Sequence, residues 1–232
     1  MRVGNVGEKM KKMIVCCVAM VQWLVANPDV ETFKQQVLTH LPYLDGWCSR
    51  EKALSFIDFI LKEKPKVWVE IGVFGGSSFF PVASTFKFLG EGLIIGIDPW
   101  DKIECIKYYD PIKDQVDLKW WGNLNLNLIY FAFLNMLKVH ALEPYSTVIR
   151  ATSENGAEEI DTIDVLYIDG NHSETVSTQD VSLYLPKVRS GGFIWINDSM
   201  WEQRQEAIAL LIKSCDITKV IDNGNCILFK KR

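Results

Sequence analysis

The sequence runs Val-Trp-Val-Glu-Ile-Gly-Val-Phe-Gly-Gly-Ser-Ser from Val67 to Ser78. Four of its first five residues are apolar and three are β-branched, which is typical of a short strand buried on both faces. Gly72, Gly75 and Gly76 then predict a tight turn, because glycine adopts backbone conformations that other residues avoid. A helix-length stretch follows from Ser77 to Leu89. The segment therefore predicts a strand, a glycine-rich turn and a helix, the first unit of an α/β protein.

Similar apolar runs recur along the chain at intervals long enough for helices. The first five are Val67–Ile71, Leu93–Ile97, Thr147–Arg150, Val165–Ile168 and Phe193–Ile196. Two more, Ile217–Ile221 and Cys226–Phe229, flank the residues Asp-Asn-Gly-Asn at 222–225, which predict a hairpin. The sequence therefore predicts an α/β fold with a doubly wound seven-stranded sheet, mostly parallel, that ends in an antiparallel C-terminal hairpin strand.

The composition fits one globular domain of 232 residues, with 48% hydrophobic and 23% charged residues. Lys and Arg number 25 against 29 Asp and Glu, so the formal net charge is -4. A chain without net positive charge has no global attraction for a phosphate backbone. We therefore expect no nucleic-acid partner.

The N-terminal 50 residues differ in sequence pattern from the rest of the chain. We expect residues 1–50 to form an N-terminal helical segment and residues 51–232 to form the main domain. Residues 9–26 pass from lysines into an apolar run, which is the order found in a secretory signal. The run is too short to form a stable membrane span. A packed helix in a cytoplasmic protein and a targeting stretch in an exported one both remain open.

An insertion at about 101–146 separates the second and third predicted strands by more chain than a crossover needs. It forms either a cap or lid over the strand ends or additional packing. Its aromatic residues fit a small-molecule pocket and a homodimer contact equally well. These aromatic residues are Tyr108, Tyr109, Trp120 and Trp121.

Two acids near the glycine-rich turn indicate the kind of cofactor. Asp98 ends the second predicted strand, where a carboxylate can accept hydrogen bonds from both hydroxyls of a ribose. Glu70 stands just before the turn, where it would repel a pyrophosphate and attract a cation. S-adenosylmethionine combines an adenosine ribose with an ammonium, a carboxylate and a sulfonium group. We therefore expect S-adenosylmethionine as the cofactor.

Two further strand ends carry acids that could perform chemistry. Asp169 follows the fourth predicted strand and Asp198 the fifth, so their backbones lie about 5 Å apart if those strands are neighbours. Carboxylates that close need a proton or a cation between them, and with Asn197 or Ser199 they would suit Mg²⁺. His172 is placed to act as a general base. The alternative is that Asp198 only caps a helix and Asp169 only holds the cofactor.

Four motifs in this order resemble class I S-adenosylmethionine-dependent methyltransferases. They read VEIGVFGGSS, GIDPW, IDVLYIDGNH and SGGFIWIND. More narrowly, the chain resembles the macrocin O-methyltransferase-like and catechol-type small-molecule O-methyltransferases. The resemblance implies a Rossmann-like methyltransferase fold and methylation of a hydroxyl on a small-molecule acceptor, with possible assistance from magnesium.

The resemblance also implies roles for individual residues. The implied cofactor-binding residues are Glu70, Gly72, Phe74, Gly76, Ser78, Asp98, Ser153 and Asp169. The implied catalytic residues are His172 and Asp169, and the implied metal ligands are Asp169, Asp198 and Ser199. Ser199 replaces the Asn of catechol-type enzymes, which leaves metal dependence open, and His172 replaces their base lysine, as in the macrocin-like branch.

Two other functions remain open at this stage. One is a nicotinamide-dependent oxidoreductase built on a similar sheet, against which Glu70 argues. The other is a non-catalytic member that binds S-adenosylmethionine without transferring its methyl group.

Overall fold

The computed structural model describes residues 29–232. The predicted targeting stretch at 9–26 lies outside this range. Within it, no helix is both long and apolar enough to cross a membrane. Residues 34–232 cluster into one compact unit, and the division at residue 50 stays a prediction.

A seven-stranded sheet organises the described part of the chain. Its strands are β1 (Val67–Ile71), β2 (Leu93–Ile97), β3 (Ser146–Ile149), β4 (Ile163–Ile168), β5 (Val188–Asn197), β6 (Cys215–Ile221) and β7 (Cys226–Lys231). The spatial order is β3-β2-β1-β4-β5-β7-β6. The first five strands pair in parallel, and β7 is antiparallel to both β5 and β6. The predicted doubly wound sheet with an antiparallel C-terminal strand is confirmed.

Helices connect the strands close to the predicted positions. They are α1 (Val30–His40), α2 (Arg50–Glu63), α3 (Phe79–Leu89), α4 (Lys102–Cys105), α5 (Gln115–Asn123), α6 (Leu126–Val139), α7 (Ser153–Gly156), α8 (Glu174–Tyr184) and α9 (Gln205–Ser214). The sequence predicts helices over residues 154–160 and 201–214, and in each a tight 3-10 turn replaces part of the predicted helix, at Ala157–Glu159 after α7 and at Glu202–Arg204 before α9.

The chain changes direction across the sheet at β1. From β1 it proceeds to β2 and β3 on one side and then returns to β4 on the other. Ligands bind open α/β sheets at such a switch point, beyond the carboxyl ends of the strands. Gly72 follows β1 with φ +85°, and a Cβ atom there would lie 2.3 Å from the backbone oxygen of Asp169. Glycine is therefore required for the ends of β1 and β4 to approach each other.

Helix α2 buries a different face from the one that the sequence predicts. The spacing of apolar residues over 51–64 predicts a buried stripe of Leu54, Ile57, Ile60 and Leu61. The buried residues are instead Lys52, Ala53, Ser55, Phe56, Ile57 and Ile60. The reason is Phe56, whose ring lies 5.1–5.2 Å from the rings of Trp68, Tyr167 and Trp195 on three neighbouring strands. This rotation places Lys52 on the buried face.

The insertion between β2 and β3 contains α4, α5 and α6. Helix α6 is a packing element, because its buried Phe133 lies 5.1 Å from the ring of Phe79 on α3 and 5.7 Å from that of Trp100. Helices α4 and α5 lie beside the strand ends and contribute to the cavity described below.

Candidate functional site

A cavity of about 590 Å³ opens at the carboxyl ends of β1, β2, β4 and β5. This volume is within the range of about 300–1,000 Å³ that small-molecule sites occupy. The predicted site residues that line the cavity are Gly72, Phe74, Ser78, Asp98, Ser153, Asp169, His172 and Asp198. Three others, Glu70, Gly76 and Ser199, are not among its lining residues.

Asp98 anchors the glycine-rich turn. Its Oδ2 accepts hydrogen bonds from the backbone N–H groups of Val73 and Phe74, both at 3.0 Å. Its Oδ1 accepts one from the backbone N–H of Trp100 at 2.7 Å. A carboxylate has about four acceptor sites, so about one remains for a ligand. About one acceptor site is left free for a ribose hydroxyl, and the contact of Asp98 with both ribose hydroxyls stays a prediction.

Glu70 reaches the cavity only through a second residue. Its Oε1 accepts a hydrogen bond from Ser78 Oγ at 2.5 Å, and Ser78 lines the cavity. Its Oε2 is buried and has no hydrogen-bond partner among residues 29–232. Burial raises the pKa of Glu70 well above its ordinary value. Glu70 therefore positions Ser78, and its own contact with the cofactor stays a prediction.

Gly76 allows the turn to pack closely against α6. It has φ +85°, and a Cβ atom there would lie 2.5 Å from the ring of Phe133 on α6. Its N–H donates to the carbonyl of Val73 at 2.9 Å. The side without a Cβ faces α6 and the N–H is already bonded, and the cofactor contact of Gly76 stays a prediction.

Ser153 shares its end of the cavity with an acid that the sequence reasoning missed. Ser153 Oγ donates to Asp180 Oδ1, and the Ser153 carbonyl accepts from Tyr184 Oη at 2.6 Å. Asp180 lies on α8 and lines the cavity. Burial raises the pKa of Asp180 to about 7. The signal available in the sequence is weak, since an acid within a helix is usually exposed.

Asp169 is held by two donors at the end of β4. Its Oδ2 accepts from Tyr167 Oη at 2.7 Å, and its Oδ1 accepts from Asn197 Nδ2 at 2.9 Å. Burial raises the pKa of Asp169, and the positive charge of Lys52 opposes this shift without cancelling it. The carboxylate is therefore fixed in orientation at the cavity wall.

His172 and Asp198 form a pair across the ends of β4 and β5. Nε2 of His172 lies 3.0 Å from Oδ2 of Asp198, and Oδ1 of Asp198 accepts from Asn225 Nδ2 at 2.9 Å. Burial by itself would raise the pKa of Asp198. The hydrogen bond and the positive charge of His172 outweigh this effect and lower the pKa to about 2. Trp201 packs edge-on against the imidazole at 4.7 Å. The pair is thus a carboxylate and an imidazole with a defined mutual orientation.

Three of these groups could hold a divalent cation. The potential ligand atoms of Asp169, His172 and Asp198 lie within 4.8 Å of one another. The hydroxyl of Ser199, the third predicted ligand, donates to the carbonyl of Gly224 at 2.6 Å. His172 is thus a further potential ligand beside Asp169 and Asp198, and the predicted set of Asp169, Asp198 and Ser199 stays a prediction.

Two buried cations flank the acids, and the sequence reasoning missed both. Lys52 is 2% exposed, and its Nζ donates to Asn197 Oδ1 at 2.6 Å. Arg204 is fully buried and donates to Ser177 Oγ at 2.9 Å and to the Gly170 carbonyl at 3.1 Å. The position of Lys52, four residues before Phe56, is the signal that could have placed it on the buried face.

An aromatic wall borders the outer part of the cavity; it consists of Trp47, Phe74, Trp120 and Trp121. The rings of Trp47 and Phe74 stack at 5.2 Å, and Trp120 lies 5.2 Å from Trp47 and 4.8 Å from Trp121. Next to it, Asn171 ties the loop after β4 to α4 by donating to the carbonyls of Glu104 and Cys105 at 2.9 and 3.1 Å. The insertion therefore forms part of the cavity wall.

Solved structures of similar architecture include several methyltransferases. The O-methyltransferase NovP superposes with a TM-score of 0.63 and 14% identity over 79% of this chain and 80% of its own. The S-adenosylhomocysteine-bound methyltransferase PaMTH1 of Podospora anserina gives 0.60 and 14%, over 100% and 99%. A putative caffeoyl-CoA O-methyltransferase of Staphylococcus aureus gives 0.58 and 15%, over 95% and 99%. At these identities the likeness establishes a shared fold.

A comparison with proteins of curated function gave no match. The family model for a methyltransferase domain matches residues 69–199, which is more than half of the chain. The matched region extends from β1 to Ser199 and contains the glycine-rich turn, Asp98, Asp169, His172 and Asp198. The resemblance drawn from the sequence motifs is confirmed, and the chain belongs to this family of methyltransferase domains.

Proposed function

We propose that this chain transfers the methyl group of S-adenosylmethionine to a hydroxyl oxygen of a small molecule. The observation that carries the proposal is the cavity in which the Asp98-anchored turn and the His172–Asp198 pair meet. Membership of the methyltransferase family supports methyl transfer and favours it over nicotinamide-dependent oxidation. The O-methyltransferases among the structures of similar fold support oxygen as the acceptor atom.

The turn after β1 and the strand ends beside it are the proposed donor site. When bound, S-adenosylmethionine supplies an electrophilic methyl carbon on a sulfonium, which leaves as the neutral thioether. Ser78, fixed by Glu70, provides a hydrogen-bonding group near the turn. The remaining acceptor capacity of Asp98 suits one ribose hydroxyl, and Ser153 lies in the same cavity for the adenine. The volume of about 590 Å³ is typical of a small-molecule site.

His172 is the proposed general base. With Nε2–H donating to Asp198, the lone pair of the neutral ring is at Nδ1. Nδ1 would accept the proton of the acceptor hydroxyl and so make its oxygen a better nucleophile for the methyl group. Asp198 then stabilises the imidazolium, because the carboxylate lies against the proton on Nε2.

Asp169, His172 and Asp198 are also the residues that would hold a divalent cation. Such an ion, when bound, would lower the pKa of an acceptor hydroxyl. His172 cannot bind a metal through Nε2 and act as the general base at the same time. If Nε2 binds a metal, Nδ1 carries the ring proton and has no lone pair for the acceptor hydroxyl. The base role therefore requires that Nε2 remain with Asp198.

Isothermal titration with S-adenosylmethionine, S-adenosylhomocysteine and NAD tests the donor. We expect the first two to bind and NAD to give no heat. Absence of binding by both sulfur ligands, or preference for NAD, would contradict the proposal. Release of S-adenosylhomocysteine, followed over a panel of phenols, catechols and sugars, then tests transfer. Donor binding without turnover on any acceptor would favour the non-catalytic alternative.

A further inference from the structure

Lys52 occupies an unfavourable position for a cation. Ser49 caps α2, with Ser49 Oγ accepting from the backbone N–H of Lys52, so Lys52 lies in the first turn of the helix. The helix dipole disfavours positive charge at this end. The side chain is also 2% exposed, and an ammonium removed from water requires compensation by its surroundings. A methionine of similar length would fill the same space without this cost.

The compensation comes from the acidic edge of the cavity. Nζ of Lys52 lies 2.6 Å from Asn197 Oδ1 and 3.8 Å from Asp222 Oδ2. Because the ammonium engages the amide oxygen, Asn197 presents its Nδ2 to Asp169, 2.9 Å from Oδ1. Burial opposes the charged form of Lys52, but the negative charges of Asp169 and Asp222 favour it, and the pKa of Lys52 is raised.

We propose that Lys52 is the resident cation of this site: it holds Asn197 as a donor to Asp169 and disfavours a divalent cation among Asp169, His172 and Asp198. The consequence for catalysis, that His172 stays with Asp198 and is free to act as base, rests on the proposed function. The effect on metal affinity does not depend on it.

The oxygen atoms near the acids support this assignment. Both oxygens of Asp169 already accept hydrogen bonds, from Tyr167 and Asn197. The amide oxygen of Asn197 and the hydroxyl of Ser199 are engaged elsewhere, by Lys52 and Gly224. Mg²⁺ requires about six oxygen ligands in octahedral geometry, and a nearby ammonium repels it. Lys52 thus disfavours binding of a divalent cation both by its charge and by turning the Asn197 oxygen away.

Mn²⁺ binding to the EDTA-treated full-length chain tests the proposal, by electron paramagnetic resonance without methyl donor or acceptor. We expect Lys52→Met to bind Mn²⁺ at least about tenfold more tightly than the wild type, since it removes a like charge. Lys52→Arg, which keeps the charge, should stay within about threefold. The matched control is Lys62→Met, the same charge change at an exposed position of α2. Equal Mn²⁺ affinity in Lys52→Met and wild type would overturn the proposal.

A measurement on the wild type keeps the proposal testable if Lys52→Met does not fold. We expect wild-type binding of Mn²⁺ no tighter than about 1 mM, the weak end of the range for protein cation sites. Micromolar affinity would overturn the proposal. The Mn²⁺ measurement uses no methyl donor or acceptor, so a failure of methyl transfer in another assay would not change its result. Conversely, tight Mn²⁺ binding would refute the role of Lys52 and leave the methyltransferase proposal intact.

Discussion

His172 and Asp198 follow different strands, yet Nε2 of one lies 3.0 Å from Oδ2 of the other. Strands β4 and β5 are parallel neighbours, so their carboxyl ends meet at one edge. Asp198 has φ +52°, a left-handed conformation that Asp tolerates better than most residues. Asn225, which follows the β6–β7 turn, fixes the second carboxylate oxygen. The orientation of the pair therefore depends on β4, β5 and the C-terminal hairpin together.

Replacement of His172 by Gln should lower kcat by about 10²–10⁴-fold, the usual contribution of a general base. Gln is similar in size and has no group that can accept and release a proton at neutral pH. The dissociation constant for S-adenosylhomocysteine should change by less than about threefold, because His172 acts on the acceptor. Steady-state kinetics and isothermal titration measure the two effects.

His40→Gln is the matched control for this change, since His40 is exposed and is not a lining residue of the cavity. Its kcat should equal that of the wild type. An unchanged kcat in His172→Gln would remove the base assignment. A large loss of S-adenosylhomocysteine affinity in that variant would instead assign His172 to the donor site.

The contribution of Asp198 to the free energy of unfolding should depend on pH. Its folded-state pKa is about 2, below the ordinary value of 3.8, so ionised Asp198 stabilises the fold above about pH 4. The contribution, up to about 2 kcal/mol, is lost as the pH falls from about 4 towards 2. The difference in unfolding free energy between wild type and Asp198→Asn should therefore shrink over this range. Urea denaturation at several pH values measures it; a constant difference would contradict the lowered pKa.

The sheet was predictable because its signals are local. The bounds of β1 and β2 agree with the sequence prediction, since each is a short buried run that ends at a turn residue or an acid. The final hairpin follows from the residues at 222–225, where Asp222 and Asn223 adopt positive φ values of 57° and 55°. These features depend on residues that are close in sequence, so the sequence alone is enough to predict them.

The chemistry of the site was less predictable because its partners are distant in sequence. Lys52 and Asn197 are 145 positions apart, and no local pattern joins them. The rotation of α2 by Phe56 is likewise set by rings on three strands. Even for Asp98, position alone did not reveal that backbone N–H groups take most of its acceptor capacity. Residue types at strand ends could be inferred, whereas their hydrogen-bond partners required the structure.

Gly72→Ala should destabilise the protein strongly. Alanine at φ +85° is strained by about 1–2 kcal/mol, and its Cβ would collide with the Asp169 backbone oxygen at 2.3 Å. With the cost of overpacking, we expect a loss of about 3 kcal/mol in the free energy of unfolding. Thermal and urea denaturation measure this loss.

Gly122→Ala is the control for this substitution. Gly122 lies in α5, and a Cβ atom there would meet nothing within 4 Å. Alanine favours the helix by about 0.5–1 kcal/mol, so this variant should be as stable as the wild type or more so. Equal stability of Gly72→Ala and Gly122→Ala would show that the ends of β1 and β4 are not held as close as the structure places them.

Trp120→Ala should weaken acceptor binding with little effect on the donor. Trp120 belongs to the aromatic wall and lies on α5 of the insertion, whereas Ser153 and Asp180 lie on α7 and α8. Loss of a large apolar contact should raise KM for the acceptor by about tenfold, whereas the dissociation constant for S-adenosylhomocysteine stays within about threefold. Phe131→Ala, which changes an exposed ring of α6 outside the cavity lining, should alter neither value. If Trp120→Ala weakens donor binding and leaves KM unchanged, the aromatic wall belongs to the donor site and the acceptor must enter elsewhere.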